Sequence, residues 1–236
     1  ENEPFRYISA NLAAQLTILE IALRLKALRH VVYASSSAVY GASPNLPYSL
    51  DDRADHPISL YGATKRGGEM MAVAYAAQFG LALTGLRFFT VYGTWGRPDM
   101  ATWQFTDAIV NGTKLTLFDN GKLSRSFTYV DDIIVGIVAA LDLPPALGST
   151  GAGGHKLYNL GNDKSDSVLR YVQVLEQAIG KKAVISLEPR HPADMTDTVS
   201  DNSVTERELG WHPRVTIDQG LPKFVEWYRG YTAGKK

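Results

Sequence analysis

The segment HVVYASS at residues 30–36 is the strongest constraint on the fold of this 236-residue chain. It is short, apolar and rich in β-branched side chains, which is typical of a strand buried on both faces of a parallel sheet. The Leu-, Ile- and Ala-rich stretch Asn11–Leu28 precedes it and predicts a helix. A second helix is predicted at Tyr61–Phe79, ended by Gly80, and a second buried strand at Leu81–Tyr92. This alternation predicts an α/β fold with a parallel sheet.

The remaining pattern is a long surface loop followed by shorter, mixed elements. The loop is predicted at Gly41–Pro57, from its three prolines and several Asx residues. Beyond Gly93, the pattern predicts the following elements in chain order: helix Trp103–Val110, strand Lys114–Phe118, helix Asp131–Ala140, strand His155–Leu160, helix Ser165–Gly180 capped by Ser165 or Asp166, strand Ala183–Leu187 and helix Ile217–Arg229.

Composition excludes several classes of protein. The 24 basic and 24 acidic residues cancel, which argues against nucleic-acid and membrane-surface partners because no basic excess is available to neutralise phosphates. The absence of cysteine excludes disulfides, thiolate metal sites and cysteine nucleophiles. The five histidines share no metal-ligand spacing, so no metal site is expected. The longest apolar run, near Ile133–Leu141, is too short to span a bilayer, and the first residues show no signal-peptide pattern.

Tyr61 and Lys65 form the pattern Tyr-x-x-x-Lys at the start of a predicted helix. Positions i and i+4 are neighbours on a helix, and a nearby ammonium favours the phenolate form of a tyrosine, which can then act as a general acid or base. The same spacing recurs at Tyr231 and Lys235, where no buried strand precedes it. Before Tyr61 lies a strand that ends in serines, at the edge where open α/β sheets bind ligands. This context favours a catalytic role for Tyr61 with Ser36.

Four ordered motifs carry a resemblance to a known family. They are YASSSAVYG (33–41), SLYGATK (59–65), LRFFTVYGTWGRPDMA (86–101) and RSFTYVDD (125–132). Together they resemble extended short-chain dehydrogenase/reductase enzymes of the NAD-dependent epimerase/dehydratase family, and among these the UDP-glucuronate 4-epimerases. The resemblance implies a cytoplasmic, homodimeric isomerase of polysaccharide biosynthesis that binds NAD in a Rossmann domain and a UDP-sugar in a smaller mixed α/β domain.

The resemblance also implies how the chain is divided. Residues 1–93 would be the C-terminal part of the Rossmann domain, and residues 94–236 would form mainly the UDP-sugar domain. A segment near 127–165 would return to the Rossmann sheet. No glycine-rich phosphate loop follows any predicted strand, and the chain begins at Glu1. We therefore expect the first strands of the Rossmann sheet to be missing, so that the chain is part of a longer polypeptide.

Matching positions assign roles to individual residues. Tyr61 would be the catalytic base, Lys65 would hold the nicotinamide ribose and support Tyr61, and Ser36 would bridge the sugar hydroxyl. The residues matched to cofactor contacts are Asn11, Ser36, Tyr61, Lys65 and Phe89. Those matched to the uronate pocket are Ser36, Ser37, Thr90 and Arg97. Those matched to the nucleotide are Thr116, Leu117, Phe118, Arg125 and Asp194. From the residues alone, Phe89 can equally be strand core and Asn11 a helix cap.

The expected reaction is conversion of UDP-glucuronate to UDP-galacturonate through a 4-keto intermediate. Such an intermediate readily loses carbon dioxide because its ketone is β to the carboxylate, so hydroxyl donors and the Arg97 cation would hold that carboxylate in place. Dehydratase and decarboxylase relatives carry acidic residues beside the catalytic hydroxyl, whereas Ser37 and Ala38 are not acidic. This difference favours epimerisation.

The sequence departs from the family pattern at several positions. These are Ala38 in place of a serine, Thr94 in place of a proline, Ser126 in place of an aspartate and His191 in place of a glutamine. Two alternatives therefore stay open. One is a 4-epimerase of a neutral or N-acetylated UDP-hexose, and the other is a non-catalytic UDP-sugar-binding fragment without the cofactor loop.

Overall fold

A computed structural model describes residues 3–146, 154–189 and 197–234 of the chain. The helices are α1 Pro4–Tyr7, α2 Ala14–Arg24, α3 Leu60–Phe79, α4 Ala101–Asn111, α5 Val130–Asp142, α6 Val168–Ile179, α7 Ser203–Leu209 and α8 Ile217–Ala233, with a π-helical turn at Ile8–Ala13. The strands are β1 Val31–Ser36, β2 Leu83–Phe88, β3 Thr90–Tyr92, β4 Lys114–Phe118, β5 Ser124–Arg125, β6 Phe127–Tyr129, β7 His155–Leu160, β8 Asp166–Ser167 and β9 Val184–Glu188.

The chain folds as two compact units. The first comprises the described residues within Glu1–Phe89, Val135–Leu160 and Ser200–His212, and the second those within Thr90–Ile134, Gly161–Val199 and Pro213–Lys236. The first boundary therefore follows Phe89, four residues before the expected one at 93. The returning segment is Val135–Leu160 rather than 127–165, and Ser200–His212 returns as well, which the sequence did not predict.

The first unit is built on a three-stranded parallel sheet in the order β1-β2-β7. Ser36 at the end of β1 pairs with Phe88, which pairs with Leu160, so all three strands end at the same edge. Helices α2 and α3 cover one face of β1, where Leu19, Ala72 and Ala76 pack with Tyr33 and Leu83. The parallel strands and their helices confirm the α/β class expected from the alternating pattern.

The predicted strand Leu81–Tyr92 is wrong as a single element. It divides into β2, which pairs with β1 and β7, and β3, which pairs with β6 in the second unit. The interruption falls at Phe89, whose amide donates to the carbonyl of Leu160 while its ring is buried. A continuous apolar run does not reveal this change of partner, because both halves are buried.

Among its described residues, the second unit has three two-stranded ladders: β3-β6 and β4-β9 are parallel, and β5-β8 is antiparallel. Its core is formed by α4, α6 and α8 around Tyr92, Leu117, Tyr171, Leu175 and Leu221. Helix α6 begins at Val168 and is capped by Ser167, whose hydroxyl accepts from the amide of Arg170, so the predicted caps Ser165 and Asp166 are wrong. Asp166 and Ser167 instead form β8, a pairing too short to recognise in the sequence.

Several predicted bounds shift by a few residues. The predicted helix Asn11–Leu28 is part of a helical segment that begins with α1 at Pro4, continues through the π-helical turn Ile8–Ala13 and ends with α2 at Arg24. The last helix continues past Arg229 to Ala233. The strands at Lys114–Phe118 and His155–Leu160 have the predicted bounds. Within the described ranges, no helix is both long enough and apolar enough to cross a membrane.

Candidate active site

Ser36 and Ser37 lie where β1 ends and a turn of 3₁₀ helix, Ser37–Tyr40, begins. Ser36 is buried, and its hydroxyl accepts a hydrogen bond of 3.2 Å from the amide of Ala38. Both serines are thus at the carboxyl edge of the parallel sheet, where ligands bind in open α/β folds.

Helix α3 starts against this turn. The hydroxyl of Ser59 caps the helix by accepting from the amide of Gly62 at 3.0 Å. A Cβ atom on Gly62 would lie only 2.4 Å from the carbonyl oxygen of Ala38, so no other residue fits at this close approach. The result is that Tyr61, the residue before Gly62, is held beside the turn that carries Ser36 and Ser37.

Lys65 is on the same face of α3 as Tyr61, as the spacing predicts. Its Nζ lies 5.9 Å from the centre of the Tyr61 ring and donates a hydrogen bond of 3.2 Å to the carbonyl of Ala34 on β1. Desolvation by burial lowers the pKa of Lys65 below its usual value. The rings of Tyr7 and Tyr61 pack edge to face, with their centroids 6.3 Å apart. The described structure therefore brings Ser36, Ser37, Tyr61 and Lys65 to one edge of the sheet.

Asn11 and Phe89 both have packing roles of their own in the first unit. The side-chain amide of Asn11 donates to the hydroxyl of Thr64 at 2.9 Å, which fixes the π-helical turn to α3 one residue before Lys65. It is therefore not a helix cap. The Phe89 ring is 6 % exposed and packs with Tyr40 and Tyr48, each with its centroid 6.4 Å away. The Phe89 ring is therefore part of the hydrophobic core, which leaves its backbone as the part that could contact a cofactor.

The candidate uronate residues Thr90 and Arg97 belong to the second unit. Thr90 is the first residue of β3. Arg97 follows Trp95, which has a left-handed φ of 62°, in an exposed loop. Its guanidinium donates two hydrogen bonds to the carboxylate of Asp99. The guanidinium is therefore exposed, and its charge is neutralised by a neighbour that was not predicted from the sequence.

The candidate nucleotide residues Thr116, Leu117 and Phe118 form the end of β4, where exposed and buried side chains alternate. Leu117 points into the core, while Thr116 and Phe118 line a cavity of about 540 Å³ in the second unit. Gln104 and Lys114 line the same cavity and were not predicted. Elsewhere in this unit, Arg125 lies opposite Asp166 in the antiparallel β5-β8 ladder. Its guanidinium donates a hydrogen bond to the carbonyl of Ser124. Asp194 and His191 lie outside the described residues.

A buried polar cluster one turn beyond Lys65 on α3 was also not predicted from the sequence. Glu69 and Arg87 are almost completely buried and form an ion pair, with 2.8 Å between Nε and Oε1. A detectable signal was present: Glu69 continues the i+4 spacing from Tyr61 and Lys65, and Arg87 interrupts an otherwise apolar strand. Within the part of the chain that the structure describes, no cluster of three His, Asp or Glu side chains is arranged to hold a metal ion.

A parallel sheet with a serine, tyrosine and lysine at its carboxyl edge defines an α/β protein of the short-chain dehydrogenase/reductase type. Residues 1–161 match the model of the NAD dependent epimerase/dehydratase family. The chain belongs to this family.

Two curated relatives and one solved structure extend the comparison. The chain is 43 % identical to UDP-glucuronate 4-epimerase 5 of Arabidopsis thaliana, over 99 % of its own length and 56 % of that relative. It is 41 % identical to an uncharacterized 37.6 kDa protein of Escherichia coli O111:H-, over 97 % of its length and 71 % of the relative. The crystal structure of UDP-glucuronic acid 4-epimerase from Bacillus cereus, in complex with UDP-glucuronic acid and NAD, superposes with a TM-score of 0.85 at 31 % identity, covering 95 % of this chain and 68 % of that one.

The chain spans little more than half the length of the Arabidopsis relative and about two thirds of the Bacillus enzyme.

Proposed function

We propose that the protein is an NAD-dependent isomerase that converts UDP-glucuronate to UDP-galacturonate by 4-epimerisation through a 4-keto intermediate. The observation that carries the proposal is the placement of Tyr61 and Lys65 on α3, whose first turn packs against the Ser36–Ala38 segment at the sheet edge. The 43 % identity to a UDP-glucuronate 4-epimerase supports the same reaction and substrate.

The residues present fit the nicotinamide end of NAD. The Lys65 ammonium is partly buried beside the Tyr61 ring at the carboxyl edge of the sheet, the position suited to a ribose hydroxyl. We propose that Lys65, Tyr61, Ser36, Asn11 and Phe89 hold this part of the cofactor. Bound NAD would supply the acceptor and then the donor of the hydride.

The chain's own side chains would handle the proton. Tyr61 would remove the proton of the C4 hydroxyl as C4 is oxidised, and return it when C4 is reduced on the other face of the sugar. Ser36 would donate a hydrogen bond to the same substrate oxygen and keep it in line with Tyr61.

Specificity for a uronate would come from Ser36, Ser37, Thr90 and Arg97. Hydroxyl donors and a guanidinium bind a carboxylate by charge-assisted hydrogen bonds, and these would hold it in an orientation that disfavours loss of carbon dioxide. The Thr116–Phe118 segment, Arg125 and Asp194 are proposed to hold the UDP moiety. The cavity lined by Thr116 and Phe118 supports this assignment.

A 4-epimerase of neutral or N-acetylated UDP-hexoses is a second candidate. The Arg97–Asp99 pair favours it, because a guanidinium already neutralised by a carboxylate attracts a uronate less strongly. Incubation of the full-length protein with NAD and either UDP-glucuronate or UDP-glucose, followed by NMR of the products, separates the two. The proposed function requires faster turnover of UDP-glucuronate, and preference for the neutral sugar would replace it by the second candidate.

The non-catalytic alternative is tested by calorimetry of this 236-residue chain with NAD and with UDP, because binding of UDP alone would favour it.

We also propose a homodimer, supported by the exposed Ile18 and Ile21 of α2 and Met70 of α3. Light scattering tests this assembly.

The cytoplasmic location expected from the sequence stays a prediction that cell fractionation checks.

A further inference from the structure

Glu69 is a buried carboxylate at the centre of a polar cluster in the first unit. Its side chain is fully shielded from solvent, with 0 % exposure. It accepts hydrogen bonds from the hydroxyl of Ser35 at 2.6 Å and from two nitrogens of Arg87 at 2.8 Å each. A further bond of 2.9 Å comes from Arg66. These donors hold the pKa of Glu69 below its usual value despite its burial, so it stays ionised.

The cluster connects the two elements that carry the candidate active site. Ser35 directly precedes Ser36 on β1, and Glu69 lies one turn beyond Lys65 on α3. The hydrogen bond between Ser35 and Glu69 therefore joins β1 to α3 close to the candidate active site. It lies one residue from Ser36 along the strand and one turn from Lys65 along the helix. Arg87 on β2 fixes the same carboxylate from the neighbouring strand.

The rest of α3 is held to the sheet differently. Farther along the helix, Ala72 and Ala76 belong to a hydrophobic cluster with Tyr33 of β1. Apolar packing tolerates small shifts, whereas hydrogen bonds to a charged group require defined distances and angles. A buried ion pair is also seldom more stabilising than apolar residues of the same size. The polar cluster thus lies at the half of the helix where register matters for chemistry.

We propose that Glu69, held by Ser35 and Arg87, is a positioning residue that sets the register of Tyr61 and Lys65 relative to Ser36. The proposal rests on the proposed function, since it explains how the groups of that reaction are aligned. Because its side chain has no exposed surface, Glu69 itself would not contact substrate or cofactor. It acts through the hydrogen bond to Ser35 on the strand and through its own helix.

The substitution Ser35→Ala tests the proposal without leaving the buried Arg87 uncompensated, as a change at Glu69 would. In the full-length protein we expect kcat to fall about tenfold because the reacting groups lose alignment, while KM for UDP-sugar and NAD stays within about twofold. Ser35→Thr retains the hydroxyl and should restore kcat. The matched control is Thr205→Val, which removes another fully buried hydroxyl of this unit, bonded at 2.8 Å to the carbonyl of Asn159.

Two results would overturn the proposal: a kcat for Ser35→Ala no lower than that of Thr205→Val at equal loss of thermal stability, or no recovery in Ser35→Thr. A second readout needs neither cofactor nor activity. In protein labelled with ¹³C-tyrosine, the Tyr61 resonance, assigned with Tyr61→Phe, should shift in Ser35→Ala and not in Thr205→Val. If the unsubstituted enzyme fails to turn over UDP-glucuronate, the proposed function fails, and this resonance still decides whether Ser35 and Glu69 position Tyr61.

Discussion

The guanidinium of Arg97 is held by the carboxylate of Asp99 through two hydrogen bonds, 3.0 Å from Nε and 2.8 Å from a terminal nitrogen. The same two donors would face the carboxylate of a uronate, because guanidinium groups bind carboxylates in this fork geometry. The carboxylate of Asp99 would therefore compete with the carboxylate of a uronate for the guanidinium of Arg97.

Replacing Asp99 with Asn should strengthen binding of the uronate. The substitution keeps the shape of the side chain and removes its charge, so Arg97 is released for the substrate carboxylate. We expect KM for UDP-glucuronate to fall about two- to fivefold, the range that an exposed ion pair allows, with little change in kcat. KM for UDP-glucose serves as the control and should not move. An equal fall for both sugars would show that Arg97 does not read the carboxylate.

Replacing Tyr61 with Phe should remove most of the activity. The ring and its contact with Tyr7 are retained, and only the proton-carrying hydroxyl is lost. General acid–base catalysis contributes about 10²- to 10⁴-fold, so kcat should fall by about three orders of magnitude with substrate binding preserved. Tyr231→Phe is the matched control because it also precedes a lysine by four residues. Near-normal turnover of Tyr61→Phe would exclude this tyrosine as the catalytic base.

Replacing Gly62 with Ala should damage the site through the backbone. The new Cβ atom would lie 2.4 Å from the carbonyl of Ala38, so either the start of α3 or the serine turn must move. We expect lower kcat and a lower melting temperature. Gly68→Ala on the same helix is the control, since its Cβ would meet only the Gln15 side chain at 3.8 Å. That variant should gain about 0.5–1 kcal/mol from helix propensity.

His155 should make the first unit less stable in mild acid. Its Nε2 lies 2.7 Å from the Tyr33 hydroxyl, and burial lowers the pKa of His155 to about 4 from an ordinary 6.5. Between these two values the unfolded chain binds more protons than the folded one, so this contribution is complete above about pH 6.5 and is lost as the pH falls toward 4.

Urea unfolding at pH 7 and pH 4.5 measures this effect. We expect the free energy of unfolding to drop by about 2 kcal/mol through His155. His155→Gln keeps a polar partner for Tyr33 and does not titrate, so it should lose that part of the pH dependence. If the free energy of unfolding of His155→Gln falls between pH 7 and pH 4.5 as much as that of the unsubstituted protein, the acid sensitivity belongs to other groups.

The sequence predicted the elements that local pattern determines. The strand at residues 30–36 and the helix ended by Gly80 follow from β-branched composition and a left-handed glycine cap, both of which act over a few residues. Because Tyr61 and Lys65 are four residues apart on that helix, their shared face was equally predictable.

Contacts between distant residues were beyond local pattern. The division of the run Leu81–Tyr92 at Phe89 depends on two different partner strands, β1 and β6, far away in the chain. The role of Glu69 depends on Ser35 and Arg87, which lie 34 and 18 residues from it. In the same way, the sequence alone cannot show that the guanidinium of Arg97 is turned toward Asp99.

The most direct test of the proposed function follows the hydrogen at C4. The full-length protein would be given NAD and UDP-glucuronate carrying deuterium at C4, and the product would be analysed by NMR and mass spectrometry. Oxidation and reduction at C4 predict UDP-galacturonate that retains the deuterium, because the hydride returns to the same carbon. Loss of the deuterium, or a decarboxylated UDP-pentose as the main product, would contradict the account.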